Sequence, residues 1–495
     1  LQVGTVDVAP FPRGQKGGAK NSWAMRENME SVYFGTDGWR GIIGESFTYE
    51  NVRRVGKALS QLAKKRGIEK KRVVIGYDYR FMSEFFARAV YDELTAAGIQ
   101  AALNDRAIPT PALSFAGRGS DVAFGVMITA SHNPHFYNGI KFKANYGGPV
   151  MPEFTQAVTR HLKNIKKASS HAPVYADKIP LYDFYTPYIN SLKKYADFSI
   201  LKKANIKVAI DSMCATGGNI FEELLRGTQI GRVSIRTERN PLFDYDLPEP
   251  APPLLAPLAK LVRSEKCDVG LATDGDADRI GVVDASGRFV SLHYIMPLLY
   301  EYLAETRGWK GDAVRTTSTD NLFDEVCESF GARCHEVPVG FKNVCEVVLK
   351  EDILVGGEES GGFAFRGNVP ERDGILANLY LLDFMIKTGK KPSELLELLF
   401  SKVGAHYYDR IDTRIDPVRR EAIKAKVIAA QPATIGGLKV TGKNMTDGYK
   451  FSLEDGGWLL VRFSGTEPLI RVYTETTDGA AVQAILEDGK RLAGI

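Results

Sequence analysis

Residues 122–139 read VAFGVMITASHNPHFYNG, and this stretch says more about the fold and function of the chain than any other. The apolar segment 122–128 predicts a buried strand, and the Asn-Pro and Asn-Gly pairs that follow predict turns. Ser131 is therefore expected at the tip of a strand–loop junction, where open α/β sheets present their chemistry. A serine placed there could carry a phosphoryl group, although loops also favour serine for conformational reasons alone.

A second loop carries three alternating aspartates, Asp274, Asp276 and Asp278, after an apolar segment that predicts another short strand. Alternate side chains of an extended loop point the same way, so the carboxylates should converge, and a cation or protonation must relieve their repulsion. Oxygen ligands without a neighbouring His or Cys suit Mg²⁺ and leave positions for a phosphate oxygen. The alternatives are an acidic surface turn or a Ca²⁺ loop, but the Ca²⁺ pattern requires a glutamate near Arg288.

Two further loops combine glycine with polar side chains. Residues 356–362 read GGEESGG, in which Glu and Ser suit sugar hydroxyls and glycine lets a ligand approach the backbone. A helix-capping turn explains this loop equally well. Residues 462–468 read RFSGTEP between two predicted strands, and their Arg, hydroxyls and glycine amides suit a phosphate. A polar hairpin is the alternative there.

Taken in order from Thr36 to Glu467, the four loops resemble those of the α-D-phosphohexomutase superfamily, the phosphoglucomutase and phosphomannomutase group. The resemblance covers nearly everything except the first thirty or so residues. It implies a phosphotransfer isomerase that interconverts glucose 1-phosphate and glucose 6-phosphate. The enzyme serine gives its phosphoryl group to the free hydroxyl, glucose 1,6-bisphosphate turns end for end, and the other phosphoryl group returns to the serine. The implied cofactors are one Mg²⁺ per chain and glucose 1,6-bisphosphate as intermediate and activator.

The same resemblance assigns roles to individual residues. Ser131 corresponds to the phosphoserine, which also completes the metal site of the three aspartates. A base must accept the hydroxyl proton, and His132 and Lys141 both remain candidates, although a lysine beside a bound dianion should stay protonated. The expected catalytic residues are Ser131, His132, Lys141, Arg40 and Arg279. The expected metal ligands are Ser131, Asp274, Asp276 and Asp278. The sugar hydroxyls are expected at Glu358 and Ser360, and the non-reacting phosphate at Arg462, Ser464, Gly465 and Thr466.

The sugar is predicted less directly. Thr129 stands where phosphoglucosamine mutases usually have serine. Glu359 and Gly362 stand where the bispecific phosphomannomutase/phosphoglucomutase type usually has Met and His. The expected order is therefore glucose first, a bispecific enzyme that also takes mannose second, and glucosamine third.

Two hypotheses come from other classes. In a phosphatase of the haloacid-dehalogenase kind, the first aspartate of the triplet would be the nucleophile, and Ser131 and Arg462 would not be needed. A catalytically inactive relative would act as a sugar-phosphate sensor or scaffold, but such proteins commonly lose the serine or an aspartate, and this chain keeps them all.

At 495 residues the chain is too long for one core. Three strand–helix–strand patterns predict three similar α/β domains with mixed or mostly parallel sheets. Predicted strands at 435–440, 449–453 and 458–461 indicate a smaller α+β domain, and the family layout places all four around a central cleft. The predicted bounds are 31–175 for the serine-loop domain, 176–288 for the metal-loop domain, 289–402 for the sugar-loop domain and 403–495 for the phosphate-loop domain, with residues 1–30 a disordered extension or an added leader.

Composition agrees with a globular enzyme, at 44% apolar and 25% charged residues. A net charge of +4 is too small to imply nucleic acid as a partner. Five scattered cysteines without a CxxC pair indicate free thiols in a reducing compartment. No apolar run approaches the length of a membrane span. We therefore expect a cytoplasmic monomer or homodimer whose partners are small-molecule hexose phosphates.

Overall fold

The structure, a computed structural model, describes residues 32–35, 38–169, 179–464 and 469–495. The predicted extension, residues 1–30, lies outside the described residues. The strands are β1 (Trp39–Ile42), β2 (Arg72–Tyr77), β3 (Ala101–Asn104), β4 (Val122–Ile128), β5 (Tyr137–Lys143), β6 (Leu181–Tyr182), β7 (Lys207–Asp211), β8 (Gly231–Ile235), β9 (Val269–Thr273), β10 (Ile280–Asp284), β11 (Phe289–Val290), β12 (Asp312–Thr316), β13 (Cys334–Val337), β14 (Ile353–Gly357), β15 (Phe363–Phe365), β16 (Tyr407–Arg414), β17 (Thr434–Ile435), β18 (Leu438–Asn444), β19 (Tyr449–Leu453), β20 (Trp458–Phe463) and β21 (Leu469–Thr476).

The α-helices lie between and after these strands. They are α1 (Tyr49–Lys65), α2 (Ser83–Ala96), α3 (Thr110–Ala116), α4 (Pro152–Leu162), α5 (Tyr185–Leu192), α6 (Phe198–Leu201), α7 (Ile220–Leu224), α8 (Ala256–Glu265), α9 (Leu292–Glu301), α10 (Leu322–Ser329), α11 (Phe341–Val348), α12 (Gly374–Thr388), α13 (Pro392–Val403), α14 (Arg420–Ala429) and α15 (Val482–Ala493).

The first three sheets are mixed, as predicted. The first has the order β1-β5-β4-β2-β3-β6, in which β2 runs parallel to β3 and β4 while β5 is antiparallel to β4. The second has the order β11-β10-β9-β7-β8, and the third β13-β12-β14-β15. In each of these sheets, parallel strands joined by helices are followed by one antiparallel strand. The predicted functional loop connects the last parallel strand to that antiparallel strand. Each domain therefore presents one loop where its parallel strand ends.

The fourth sheet is entirely antiparallel, in the order β16-β21-β20-β19-β18-β17. With α14 and α15 it forms the predicted α+β domain. The single strand predicted over 435–440 was wrong, because Gly436 and Gly437 have φ of +59° and +84° and turn the chain back. Ile435 consequently pairs with Leu438 in a tight hairpin.

The buried apolar residues form several clusters, and the first domain has one of its own around Val55 and Val90. Two other clusters show how the domains are grouped. One continuous core runs through the first three domains and includes Val74, Ile210 and Leu354. The fourth domain has its own core around Val461 and Val472. Because the fourth domain has its own core, its position relative to the other three domains depends on the contacts between their surfaces.

Among the described residues, the structure has no helix that is both long and apolar enough to cross a membrane.

Candidate active site

Ser131 lies just beyond the end of β4, in the turn that leads to β5. Its φ of +52° places it in the left-handed region, which non-glycine residues seldom occupy. Its amide donates to Thr129 Oγ1 at 2.9 Å, which helps to hold this conformation. The side chain is 1% exposed, and Ser131 Oγ donates to Asp274 Oδ2 at 2.8 Å. The structure thus brings the predicted serine directly against the predicted metal loop.

The serine loop is braced from beneath by Arg80, a residue that sequence reasoning missed. Its fully buried guanidinium donates to four backbone carbonyls of this loop, at 2.5 Å to Ser131, 2.6 Å to Asn133, 2.9 Å to Pro134 and 3.1 Å to Tyr137. Burial lowers the pKa of Arg80 to about 10, so the group stays charged at neutral pH. The available signal was an arginine two residues after Asp78, just beyond a predicted parallel strand.

The metal loop approaches the serine loop so closely that only glycine fits between them. A Cβ on Gly275 would lie 2.1 Å from the carbonyl oxygen of Ser131. On the other side, the amide of Thr110 donates to the carbonyl of Asp276 at 2.9 Å, and Thr110 Oγ1 donates to its carboxylate at 2.5 Å. Thr110 begins α3, so the first domain holds the metal loop at two points.

The three aspartates converge as predicted. All three are fully buried, and one carboxylate oxygen from each lies within 4.8 Å of the others. Asp276 Oδ1 and Asp278 Oδ1 are buried without a hydrogen-bond partner among the described residues. Buried carboxylate oxygens without partners are costly unless a cation satisfies them. The donor set, three hard oxygens with no His or Cys in the cluster, therefore fits Mg²⁺.

Burial and neighbouring charge shift the pKa values of two carboxylates of the triplet in opposite directions. Burial, reinforced by Asp278 and Asp276, raises the pKa of Asp274 well above its usual range. Burial also acts to raise the pKa of Asp276, but the adjacent Lys141 ammonium outweighs it and the net shift is downward. Asp274 is thus the carboxylate that favours a proton when no cation is bound, and a divalent ion would replace that proton.

Lys141 and His132 take distinct positions around the serine. Lys141 lies on β5, is 1% exposed, and donates from Nζ to Asp276 at 2.8 Å and Asp278 at 3.1 Å. His132 Nδ1 lies 3.5 Å from Ser131 Oγ. Burial first, and then the positive charges nearby, lower the pKa of His132 well below its usual range. His132 is accordingly a neutral imidazole, while Lys141 faces two carboxylates.

The two predicted arginines line the same region. Arg40 lies on β1 and donates from Nη1 to Asn133 Oδ1 of the serine loop at 2.5 Å. Arg279 follows the triplet, and its guanidinium lies 3.7 Å from Glu249. Both raise the positive potential felt by His132. A phosphoryl group on the serine would face this potential, which suits phosphoryl transfer.

The sugar loop is joined to the metal loop by a second residue that sequence reasoning missed. Arg372 Nη2 lies 2.9 Å from Asp278 Oδ2, and Nη1 donates to Glu358 Oε2 at 3.4 Å. A Cβ on Gly362 would lie 2.2 Å from Arg372 Cδ, so the arginine occupies the space a larger side chain would need. Glu358 is 7% exposed and Ser360 is half-buried. The only signal for Arg372 was its place just before the N-cap of a helix.

The phosphate loop begins at the end of β20. Arg462 Nε donates to Asp447 at 3.1 Å, and Asp447 also accepts from the amide of Val339 in the third domain at 2.7 Å. Ser464 is buried, and its carbonyl accepts from Arg420 at 3.0 Å. The predicted contributions of Gly465 and Thr466 lie outside the described residues.

Family models match the chain in four consecutive stretches, all from the phosphoglucomutase/phosphomannomutase family. The α/β/α domain I model matches residues 31–169, domain II matches 186–287, domain III matches 292–403, and the C-terminal domain model matches 418–491.

The relatives of this chain carry names that refer to several sugars. A phosphoglucomutase/phosphomannomutase of Thermococcus kodakarensis is 33% identical over 462 residues, which cover 93% of this chain and 98% of that protein. A phosphoglucosamine/phosphogalactosamine mutase of Sulfurisphaera tokodaii is 28% identical over 473 residues, with coverage of 93% and 98%. A crystal structure from Thermus thermophilus, assigned as a phosphomannomutase, is 34% identical with a TM-score of 0.83, and covers 94% of this chain and 99% of that one.

Proposed function

Since the chain belongs to the phosphoglucomutase/phosphomannomutase family of phosphohexomutases, we propose that it interconverts glucose 1-phosphate and glucose 6-phosphate. The reaction runs through phosphorylated Ser131 and a glucose 1,6-bisphosphate intermediate. The observation that carries the proposal is the hydrogen bond of 2.8 Å from Ser131 Oγ to Asp274, at a triplet whose other carboxylates keep unpartnered oxygens.

Asp274, Asp276 and Asp278 would hold one Mg²⁺ together with an oxygen of the phosphorylated serine. When bound, the ion supplies positive charge that polarises the phosphoryl group. The unpartnered oxygens of Asp276 and Asp278 are the atoms that support this assignment.

The chain's own cations share the charge of the transferred group. Arg40 and Arg279 lie beside the serine loop, and Lys141 faces the carboxylates from β5. Phosphoryl transfer requires positioning and charge stabilisation more than covalent help. These three side chains would therefore lower the barrier for transfer in either direction, from serine to sugar and from bisphosphate to serine.

His132 is the proton acceptor that the geometry supports. A base must be neutral before it accepts a proton, and the lowered pKa of His132 keeps its imidazole neutral near pH 7. Lys141 donates from Nζ to two carboxylates, which favours its charged form. We assign the hydroxyl proton of the sugar to His132 and electrostatic stabilisation to Lys141.

The remaining loops would hold the substrate in two orientations. Glu358 and Ser360 would bind the sugar hydroxyls, and Arg462 with Ser464, Gly465 and Thr466 would bind the phosphate that is not reacting. Asp447 joins Arg462 to the third domain, which also carries the sugar loop, and this contact supports the assignment of both loops to one substrate.

Glucose is the proposed sugar, with mannose second and glucosamine third. A histidine at position 362 would give the bispecific type an extra contact, but here Arg372 occupies that space. The named relatives include all three sugar classes, so the test must compare them directly.

Phosphorus NMR would test the proposal with the full chain, Mg²⁺ and a trace of glucose 1,6-bisphosphate. Glucose 1-phosphate, mannose 1-phosphate and glucosamine 1-phosphate would be supplied together, with Ser131→Ala as the control. Conversion of the glucose signal alone, silent in the control, supports the proposal. Equal conversion of mannose 1-phosphate would make the enzyme bispecific. Release of inorganic phosphate by an active Ser131→Ala variant would contradict the mutase mechanism and favour a phosphatase.

A further inference from the structure

The second acidic residue of the sugar loop, Glu359, turns toward the loop that follows β12. Its Oε2 accepts from Ser318 Oγ at 2.7 Å and from Thr316 Oγ1 at 3.3 Å. Both hydroxyl residues are fully buried, so water cannot substitute for these bonds. We call residues 316–322 the threonine loop. Glu359 therefore fixes the sugar loop to the threonine loop by hydrogen bonds to a charged group.

The fourth domain holds the same threonine loop from its other side. Lys450 Nζ, on β19, donates to the carbonyl of Thr317 at 3.1 Å. The carboxylate of Glu475, on β21, accepts from the amides of Asn321 at 2.7 Å and Leu322 at 3.2 Å. Leu322 begins α10, so this carboxylate caps the helix across the domain boundary. The threonine loop is thus clamped between the sugar loop and the fourth domain.

Glu359 also interacts electrostatically with residues of the fourth domain. Burial acts to raise the pKa of Glu359, but the hydrogen bond from Ser318 and electrostatic interactions, of which the Arg410 guanidinium supplies one, lower it overall. Arg410 lies on β16 of the fourth domain. Burial and then the charge of Glu359 raise the pKa of Tyr408 on the same strand. The carboxylate of Glu359 is therefore close enough to β16 of the fourth domain to interact with it electrostatically.

We propose that Glu359 is a positioning residue that couples the sugar loop to the docked fourth domain through the threonine loop. This rests on the proposed roles of the sugar loop and the phosphate loop. Because the fourth domain carries the phosphate loop, docking of that domain and correct placement of Glu358 and Ser360 stabilise one another. A ligand with both a sugar ring and a distal phosphate contacts the sugar loop and the phosphate loop together. The coupling therefore strengthens the binding of whole sugar phosphates relative to that of inorganic phosphate.

A double-mutant cycle in the full-length enzyme tests the coupling by turnover of glucose 1-phosphate. Glu359→Gln and Lys450→Met act on opposite sides of the threonine loop and do not touch each other's partners. Each is expected to lower kcat/KM about 10-fold, mainly through KM, and the double variant also about 10-fold rather than about 100-fold. A 100-fold loss in the double variant would show independent effects and overturn the proposal.

Lys443→Met is the matched control for Lys450→Met. Lys443 lies on the neighbouring strand β18, and its described bonds from Nζ go to carbonyls of its own domain, at Val427, Ile428 and Ala430. Lys443→Met alone should leave kcat/KM unchanged. Combined with Glu359→Gln, it should cause no loss of kcat/KM beyond that of Glu359→Gln. Ser318→Ala removes the same contact from the other side and should reproduce Glu359→Gln. Wild-type behaviour of both Ser318→Ala and Glu359→Gln would overturn the proposal.

Amide hydrogen exchange tests the coupling without any assumption about the substrate. Lys450→Met should speed exchange of the amides of residues 357–362 about 10-fold, although Lys450 does not contact the sugar loop, and Lys443→Met should not. Unchanged exchange in Lys450→Met would overturn the coupling. If the wild-type enzyme converts no hexose phosphate, the proposed function fails, and the exchange result still decides the coupling.

Discussion

The buried guanidinium of Arg80 donates at 2.5 Å to the backbone carbonyl of Ser131, the residue whose side chain is proposed to carry the phosphoryl group. With its three other carbonyl acceptors, Arg80 fixes the path of the serine loop. The left-handed φ of Ser131 is held by this bracing and by Thr129.

Replacement of Arg80 by lysine should therefore misplace the serine. A compact ammonium cannot reach all four carbonyls, because they match the fork of a guanidinium. We expect a loss of about 3 kcal/mol in unfolding free energy and about 100-fold in kcat, measured by denaturant titration and steady-state kinetics. Arg88→Lys is the control, since Arg88 pairs with Asp92 within α2 at 2.8 Å and should cost under about 1 kcal/mol. Wild-type turnover in Arg80→Lys would contradict the bracing role.

Gly275→Ala should separate the serine loop from the metal loop. The added methyl group would lie 2.1 Å from the Ser131 carbonyl, and backbone atoms must move to admit it. We expect about 1–3 kcal/mol of destabilisation and a fall in kcat of about 100-fold. Gly442→Ala is the control, because its nearest contact is an ordinary 3.6 Å. Equal activities of the two variants would show that the loops tolerate separation.

Asp278→Asn should weaken metal binding specifically. Mg²⁺ at 100 times its Kd should raise wild-type stability by about 2.7 kcal/mol, because it binds the folded state. In Asp278→Asn the same concentration should have a much smaller effect, since one ligand charge is lost. Thermal denaturation with and without Mg²⁺ measures this. Asp121→Asn, which removes an exposed carboxylate paired with Arg72, should keep the full Mg²⁺ effect. An equal Mg²⁺ response in Asp278→Asn would exclude Asp278 as a ligand.

His406 should make docking of the fourth domain depend on pH. It lies between α13 and β16 and contacts Glu475 at 2.7 Å and Glu325 at 3.3 Å. Burial acts to lower its pKa, but these carboxylates, with Asp320 further off, raise it overall. Because the folded pKa lies above the unfolded value, the stabilisation is full below about pH 6.5 and is lost as pH rises through the raised value.

The test compares the Tm of wild type and His406→Gln across pH. The Tm advantage of wild type should be larger at about pH 6 than at about pH 9. Taking the difference between the two proteins removes the contribution of groups that both contain. An advantage that grows with rising pH would contradict the assigned sign.

Gly362→Ala should act through Arg372. The new Cβ would displace Arg372 Cδ, which lies 2.2 Å away, and weaken its contacts with Asp278 and Glu358. We expect kcat/KM for glucose 1-phosphate to fall about 10-fold. In an Arg372→Ala background the same change should have almost no further effect. Additive losses would show that Gly362 matters for another reason.

The sequence predicts the loops that carry chemistry better than the residues that hold them. Ser131 and the aspartate triplet could be selected as candidates because the four loops resemble those of a known family in order and residue type, and because converging carboxylates require a cation or a proton. Arg80 and Arg372 could not, since an arginine near a turn is ordinarily a solvated side chain. Their roles depend on carbonyls and carboxylates that tertiary packing brings to them. The hairpin at Gly436 was missed although the sequence carries a signal for it, because a Gly-Gly pair between two apolar residues, Ile435 and Leu438, is typical of a two-residue hairpin turn.

The β4–β5 hairpin brings together early in the chain two residues of the proposed catalytic centre. Ser131 and Lys141 belong to one short hairpin, whereas Asp274 lies 143 residues after Ser131 in the chain. During synthesis the serine and its lysine can take their places early, and the carboxylates arrive only after most of the second domain has emerged. Until then the serine has no metal-binding partner. A chain that ends before Asp278 therefore lacks part of the carboxylate set proposed to hold the cation beside Ser131, and it cannot carry out the proposed transfer.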